Sequence, residues 1–363
     1  MTAHNPRMFV TGHTRSCDSA DPPQGRRKAA SIRDVARAAG VSYQTVSRVV
    51  NGHPNVREET RKRVQEAISA LGFRRNATAF ALASGVTRSI TVLTSNTLLY
   101  GYAATLQGLE EATRAAGHTL GVRVLTPEDD LDRTIASAAD AGGGLVVIGF
   151  DRLGAAALDR VPAHVPCAAV VEAPPPGSTP GLPAVWADDR EAARAATEHL
   201  LSLGHDTVHY VAIPASTGSP RSVGPRAEGR RQALESAGVA VPEPSGKGWD
   251  AQAGYEAGRK LARNPEATAI LCGNDDLALG VLRALHHAGR RVPQDVSVVG
   301  FDDAPHSAYV TPSLTTVRMD FQGLGRAAFG LLRTRLDPDQ QAPVAPPAAP
   351  TLVLRESAGP RRR

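Results

Sequence analysis

At 363 residues the chain is long enough for two or three domains with sizeable cores, and its 42% hydrophobic content is ordinary for a soluble protein. No apolar run approaches the ~18 residues a membrane-spanning helix needs, and the first residues lack a basic stretch leading into an apolar one, so neither an anchor nor a secretory signal is expected and the cytoplasm is the expected location. The net charge of +5 is unevenly spread: thirteen Lys/Arg against four Asp/Glu lie between Arg26 and Arg88, which leaves residues 89–357 acidic. A basic head on an acidic body suits a phosphate-binding module joined to a domain that does not bind phosphate.

In chain order, residues 1–28 hold Pro, Gly, Ser and Asp without periodicity and are expected to be a disordered extension. From Ile32 the pattern changes. Ile32, Val35, Ala36 and Ala39 recur at helical spacing, Gly40 offers a sharp turn, and Ser42 can cap a second helix. In that helix Val46, Val49 and Val50 face inward, which leaves Tyr43, Gln44, Ser47 and Arg48 outside. After the loop Gly52-His53-Pro54-Asn55, a third helix from about Arg57 to Leu71 carries Val64, Ala67, Ile68 and Leu71 on one face. This is a helix-turn-helix headpiece, whose second helix enters the DNA major groove. Gln pairs with adenine and Arg with guanine, so Tyr43, Gln44 and Arg48 are the candidate base readers. An ordinary helical subdomain with a polar face is the competing reading, and the coincident basic charge disfavours it.

The segment Val41 to Asn51, V-S-Y-Q-T-V-S-R-V-V-N, resembles the recognition helix of the LacI/GalR family of transcription regulators, and the resemblance continues more loosely to the C-terminal end. It implies phosphate contacts from Ser42, Thr45, Ser47, Asn51 and Thr60, which set register while base contacts specify. It also implies a hinge helix over residues 76–86, in which Ala79 and Leu82 meet the minor groove and Leu82 wedges into a base step. A bare linker helix is the alternative. Arg75 departs from the Pro common there, which removes a rigid start to the hinge.

Beyond Ser89 the chain alternates strand-like and helix-like segments. Ser89–Ser95, Thr119–Leu125, Gly144–Gly149, Thr207–Ile213, Ala267–Cys272 and Val296–Phe301 read as strands. Thr105–Ala116, Asp188–Leu203, Arg226–Ala237 and Leu277–Ala288 read as helices. Repeated βα units give parallel sheets covered on both faces. The Pro-rich stretch from Pro174 to Pro183 falls near the middle and suggests a division into two subdomains. The resemblance implies the same α/β architecture: a headpiece of residues 29–75, the hinge, and over residues 87–357 a two-lobed, periplasmic-binding-protein-like core of parallel sheets with a ligand cleft. A basic tail, 358–363, follows.

Ligands of such sheets bind beyond the carboxyl ends of strands. Asn274 and Asp275 follow one strand; Asp302 and Asp303 follow another. Carboxylate and amide groups exchange hydrogen bonds with sugar hydroxyls, although helix N-capping competes as the role of each. Aromatic residues are 4% of the chain, so Trp249 and Phe321 stand out as surfaces for sugar CH faces, with a plain core contact as the alternative for Trp249. Through the resemblance, Arg226, Asn274, Asp302, Trp249 and Phe321 match effector contacts. In the other lobe, where members carry an effector-binding Asp, the chain reads Val170-Val171-Glu172. Glu172 is displaced by one position, and strand alternation is expected to turn it to the opposite face.

Enzyme readings are weak. Gly323-Leu-Gly325-Arg-Ala-Ala328 resembles a dinucleotide fingerprint but lacks the acidic residue ~20 positions on. No Gly-x-Ser-x-Gly elbow occurs, and neither the eleven His nor Cys17, Cys167 and Cys272 show metal-ligand spacing, so no cofactor or metal is expected. The expectation is a cytoplasmic repressor that binds a pseudo-palindromic operator on double-stranded DNA and is released by a small-molecule sugar, a galactoside in the first instance. A purine- or other-sugar-responsive regulator and a solute-binding protein are the alternatives. The Pro-rich stretch Gln341–Pro350 and the short tail carry no heptad, so a homodimer held by the core lobes is expected.

Overall fold

The computed structural model describes residues 30–50, 55–73, 89–140, 142–175, 177, 180–217, 224–338 and 343–362. The extension 1–28, Asn51, Arg75, the hinge with Ala79 and Leu82, and Cys17 lie outside the described residues. The chain divides into two compact units, Met1–Gly85 and Val86–Arg363.

In the first unit, α1 (Ile32–Ala39) starts with a capping box. The Ser31 hydroxyl accepts from the Asp34 amide, and the Asp34 carboxylate accepts from the Ser31 amide. It ends at Gly40, whose φ of 63° is the left-handed turn expected there. Then α2 (Tyr43–Val50) opens with the Ser42 hydroxyl accepting from the Thr45 amide at 3.1 Å. Helix α3 (Glu58–Leu71) closes the bundle. The core is small: Val35, Ala36, Ala39, Val46, Val49, Val64 and Ala67 are buried together.

Among its described residues the second unit contains two five-stranded sheets. In the first, β1 (Ser89–Thr94), β2 (Thr119–Val124), β3 (Gly144–Gly149), β4 (Cys167–Val171) and β5 (Ala184–Val185) are all parallel, in the order β2-β1-β3-β4-β5. Alternate residues serve opposite faces. Ile90, Val92, Val146 and Ile148 pack under α4 (Tyr100–Ala115) and α11 (Phe321–Leu336). Leu93, Leu145 and Val147 pack under α5 (Leu131–Asp140) and α6 (Arg152–Leu158). This two-sided burial is why β3 and β4 read as apolar runs, whereas β2, at the sheet edge, is largely exposed.

The second sheet has the order β10-β9-β8-β7-β6. It is built from β6 (His209–Val211), β7 (Ala269–Cys272), β8 (Ser297–Asp302), β9 (Thr315–Arg318) and an antiparallel β10 (Thr351–Val353). Helices α7 (Asp189–Ser202) and α8 (Pro225–Ser236) cover one face; α9 (Ala251–Leu261) and α10 (Asp275–His287) cover the other.

The chain passes between lobes three times: after Val185, between Arg318 and Phe321, and between Leu336 and Thr351. The Pro-rich stretch is therefore not the boundary. It leads into β5, which still pairs with β4. Residues 358–362 are not a separate tail either. The Ser357 carbonyl accepts from the Val298 amide, the Gly359 amide donates to Ser297 Oγ, and the Arg361 amide donates to the Leu203 carbonyl. Nor do the glycines of Gly323–Ala328 cradle phosphate. They lie inside α11 where it crosses α4, and a Cβ on Gly325 or Gly108 would strike the facing backbone.

Candidate functional site: an exposed helix face and an interlobe cleft

On the headpiece, Tyr43, Gln44 and Arg48 are exposed along one side of α2, while Val46 and Val49 anchor the opposite side. Tyr43 is 52% exposed, its ring open to solvent beside Gln44. Ser42 is exposed at the helix start, and Thr45 and Ser47 are half-buried along α2. Thr60, also half-buried, sits in the first turn of α3. The buried face of α2 is what holds these polar groups in a fixed row.

In the core, a cleft runs between the carboxyl ends of the two sheets. Arg226, on the first turn of α8, is buried at 7% exposure. Its Nε donates to Asp189 Oδ2 at 2.9 Å, and its Nη1 donates to the Gly273 carbonyl and to Asp302 Oδ1 at 3.3 Å. The guanidinium lies 4.0 Å from the Phe301 ring centroid. Asp302 ends β8 with φ of 114°, and Asp303 follows with φ of 55°. Both angles are strained for residues with a side chain. The twist aims Asp302 at the cleft and turns Asp303 away to Arg318 at 2.7 Å and Arg355 at 2.6 Å. Burial pushes the Asp302 carboxyl well above its ordinary value, with Arg226 drawing it back down.

The predicted pair Asn274 and Asp275 separates. Asn274 lines the cleft but is also the N-cap of α10: its Oδ1 accepts from the Leu277 amide at 2.8 Å, and its Nδ2 donates to the Trp249 carbonyl at 2.9 Å. Asp275 does not line the cleft. It points into the lobe, where it accepts from the Ala304 amide, the Ser307 hydroxyl and the Thr316 hydroxyl at 2.8, 2.7 and 2.6 Å. It joins α10 to the loop after β8. Asp276, one position on, turns into the cleft instead.

Glu172 is also in the cleft, contrary to the alternation argument. Strand β4 ends at Val171, so the two-residue period no longer governs the next side chain. Glu172 accepts from the Ser216 amide at 3.1 Å and from the Ser216 hydroxyl. Burial pushes its carboxyl up to about 7. Asp189, at the start of α7, carried no sequence signal apart from its place at a helix N-terminus.

Aromatic rings form the remaining walls: Tyr100, Tyr102, Phe150, Trp249 and Phe321. The chain has only seven Phe, two Trp and six Tyr, so five in one cleft is a concentration. Tyr102 meets Phe150 edge-on at 5.2 Å and Trp249 at 6.5 Å; Phe321 meets Tyr100 and Phe150, each at 6.0 Å. Gly101 makes room for Phe321, since a Cβ there would sit 2.9 Å from the ring. The enclosed space is about 40 Å³, room for a few waters, so a ligand of sugar size requires the lobes to part. Glu172 also walls a wider hollow of about 770 Å³ with mainly apolar lining, but the converging polar and aromatic groups belong to the cleft.

The headpiece, residues 31–76, matches the description "Bacterial regulatory proteins, lacI family", and residues 197–358 match "Periplasmic binding protein-like domain". Catabolite control protein A of Priestia megaterium is 32% identical over 311 residues, covering 83% of this chain and 91% of that protein. The HTH-type transcriptional repressor PurR of Shigella sonnei is 31% identical over 341 residues, covering 90% of this chain and 96% of its own length. The crystal structure of the lac repressor dimer bound to operator and the anti-inducer ONPF superposes with a TM-score of 0.78 at 28% identity, covering 92% of this chain and 100% of that one. With a capped helix-turn-helix ahead of a two-lobed core, and relatives of this identity along most of its length, the chain belongs to the lacI family of bacterial regulatory proteins and is a ligand-responsive, DNA-binding repressor rather than an enzyme.

Proposed function

We propose that this protein is a cytoplasmic repressor that holds a pseudo-palindromic operator as a homodimer and is released when a sugar enters the interlobe cleft. The observation that carries the DNA half is the exposed row Tyr43, Gln44 and Arg48 on a helix whose other side is buried. These residues read base edges, and Ser42, Thr45, Ser47, Asn51 and Thr60 hold phosphates. In this reading Ala79 and Leu82 of the hinge meet the minor groove. A dimer is required by the chemistry, because one headpiece spans too few base pairs for useful specificity. The lac repressor whose structure resembles this chain is a dimer on its operator. A solute-binding protein would have no use for the basic headpiece.

Arg226, Asp302, Glu172, Asp276 and Asn274 supply donors and acceptors for hydroxyls, and the aromatic rings supply faces for CH groups. Ligand binding stabilises one arrangement of the lobes and thereby disfavours the DNA-bound arrangement, a coupling between two distinct sites. Because Tyr43, Gln44 and Arg48 resemble the lac-type recognition helix, a lac-like half-site is the first target.

The test is fluorescence anisotropy of labelled lac-like operator and of scrambled DNA, with and without candidate sugars, galactosides first. The expected result is operator preference, reversed by a sugar, and an Arg48→Ala variant that loses ~1–3 kcal/mol of discrimination. Equal loss on operator and scrambled DNA would show that Arg48 contacts phosphate and not a base.

A further inference from the structure

The interlobe cleft, read as the effector site, carries a charge imbalance that bears on what it binds. Four carboxylates line it, Glu172, Asp189, Asp276 and Asp302, and Arg226 is the one cation lining it among the described residues. Arg226 is already engaged by Asp189 at 2.9 Å and Asp302 at 3.3 Å. Glu172 is held by the Ser216 amide and hydroxyl. Asp276 is different. It is half-buried beside Trp249 and Asn274 and accepts no hydrogen bond among the described residues. The amide nitrogen of its neighbour Asn274 is spent on the Trp249 carbonyl. Burial pushes the Asp276 carboxyl up, with His306 opposing and Asp250 reinforcing the shift.

Carboxylates accept protons from neutral hydroxyls well, so their presence alone fits any sugar. The excess does not. Asp189 and Asp302 share Arg226 and burial favours the protonated form of Glu172, so the unpaired charge is that of Asp276, and lobes closed over a neutral ligand would seal it into a cleft walled by aromatic rings, where unpaired charge is costly. A cation removes that cost twice, by pairing with a carboxylate and by lying against ring faces. Given the effector role assigned to the cleft above, we propose that its ligand is an amino sugar, whose protonated amine sits against Asp276 beside Trp249 and Tyr102 and whose hydroxyls meet Arg226, Asp302 and Glu172.

Isothermal titration calorimetry of the full chain in mildly acidic buffer tests this with D-glucosamine and D-galactosamine, each against its neutral twin, D-glucose or D-galactose, and its N-acetyl form. At least one amino sugar should bind one per chain, about tenfold or more tighter than its neutral twin. Acetylation should remove the advantage, and so should Asp276→Asn. The acetylated comparison needs no variant, so a poorly folded Asp276→Asn leaves the test standing. Failure of both amino sugars to bind, equal affinity for a neutral twin, or an undiminished preference in Asp276→Asn overturns the proposal. A neutral sugar that binds tightest and releases operator would remove this inference while leaving the cleft's effector role intact. An amino sugar that binds without affecting operator release would do the reverse.

Discussion

Replacing Arg226 by methionine keeps most of the side chain's volume and removes the charge that Asp189 and Asp302 share. Both ion pairs are sequestered: the side chains of Arg226, Asp189 and Asp302 are 8%, 8% and 12% exposed. Leaving a buried partner unpaired costs about 3–5 kcal/mol. Asp302 moderates this, because burial already pushes its carboxyl up and a proton can replace the lost cation. We therefore take the lower figure, about 3 kcal/mol. At ~2–4 °C per kcal/mol for a large domain, the core should melt ~6–12 °C lower at neutral pH. The sign with pH is fixed. Without Arg226 the folded pKa of Asp302 lies still further above its unfolded value, so stability is present at low pH and lost as pH rises through the folded value. The deficit should shrink on acidification. Calorimetry across mildly acidic to mildly alkaline buffer reads both effects, and operator binding by the same variant should survive while sugar release is lost. A deficit below about 1 °C, or one that widens on acidification, would mean that Arg226 is not the charge partner the geometry indicates.

Two further outcomes can be checked directly. Glu172, pushed up to about 7 from an ordinary value of 4.5, holds a proton in the folded state that the unfolded chain releases. Its contribution is thus fully present below about 4.5 and lost as pH rises through about 7. Glu172→Gln should gain on the parent in unfolding free energy as pH rises across that window, by up to ~3 kcal/mol, and parallel curves of thermal midpoint against pH would sink the idea. Light scattering at micromolar concentration should give about twice the chain mass; a stable tetramer, or a monomer that binds operator tightly, would contradict the dimer.

The headpiece is legible almost residue by residue because its determinants are local. The run Ile32, Val35, Ala36, Ala39, then Gly40, then Ser42 contains its own turn and cap, and each behaves in the structure as its position predicts. Parallel strands are legible for a related reason: burial on both faces leaves short apolar runs bounded by turn residues. Sequence spacing fails at the end of each strand, where the cleft is made. Alternation puts Glu172 on the wrong face when it is carried one residue beyond Val171, where β4 has already ended. Asp275 has the position of a ligand group but is the buried tie between α10 and the loop after β8, and Asp276 faces the cleft in its place.

Those errors share a physical origin. A carboxylate at the junction of strand and helix has three uses: cap, internal tie or ligand contact. Its identity does not distinguish among them. Neighbouring elements do. Asp275 is a tie because Thr316 and Ser307 present hydroxyls to it from segments more than thirty positions away. Asp302 reaches the cleft because a φ of 114° swings it toward Arg226, which α8 delivers from seventy-six positions away. The same holds for the small residues. Gly323 and Gly325 look like a nucleotide loop in isolation. In the fold a Cβ on Gly323 would strike the Asp320 carboxylate that caps α11, and only the approach of α4 reveals Gly325 as clearance for a helix crossing. That crossing seats α11 against the first lobe, and Phe321 at its first turn is thereby held against Tyr100 and Phe150 in the cleft wall. Gly325 and Gly108 therefore act on the cleft at a distance, by fixing how closely the helix that carries one of its aromatic walls can approach.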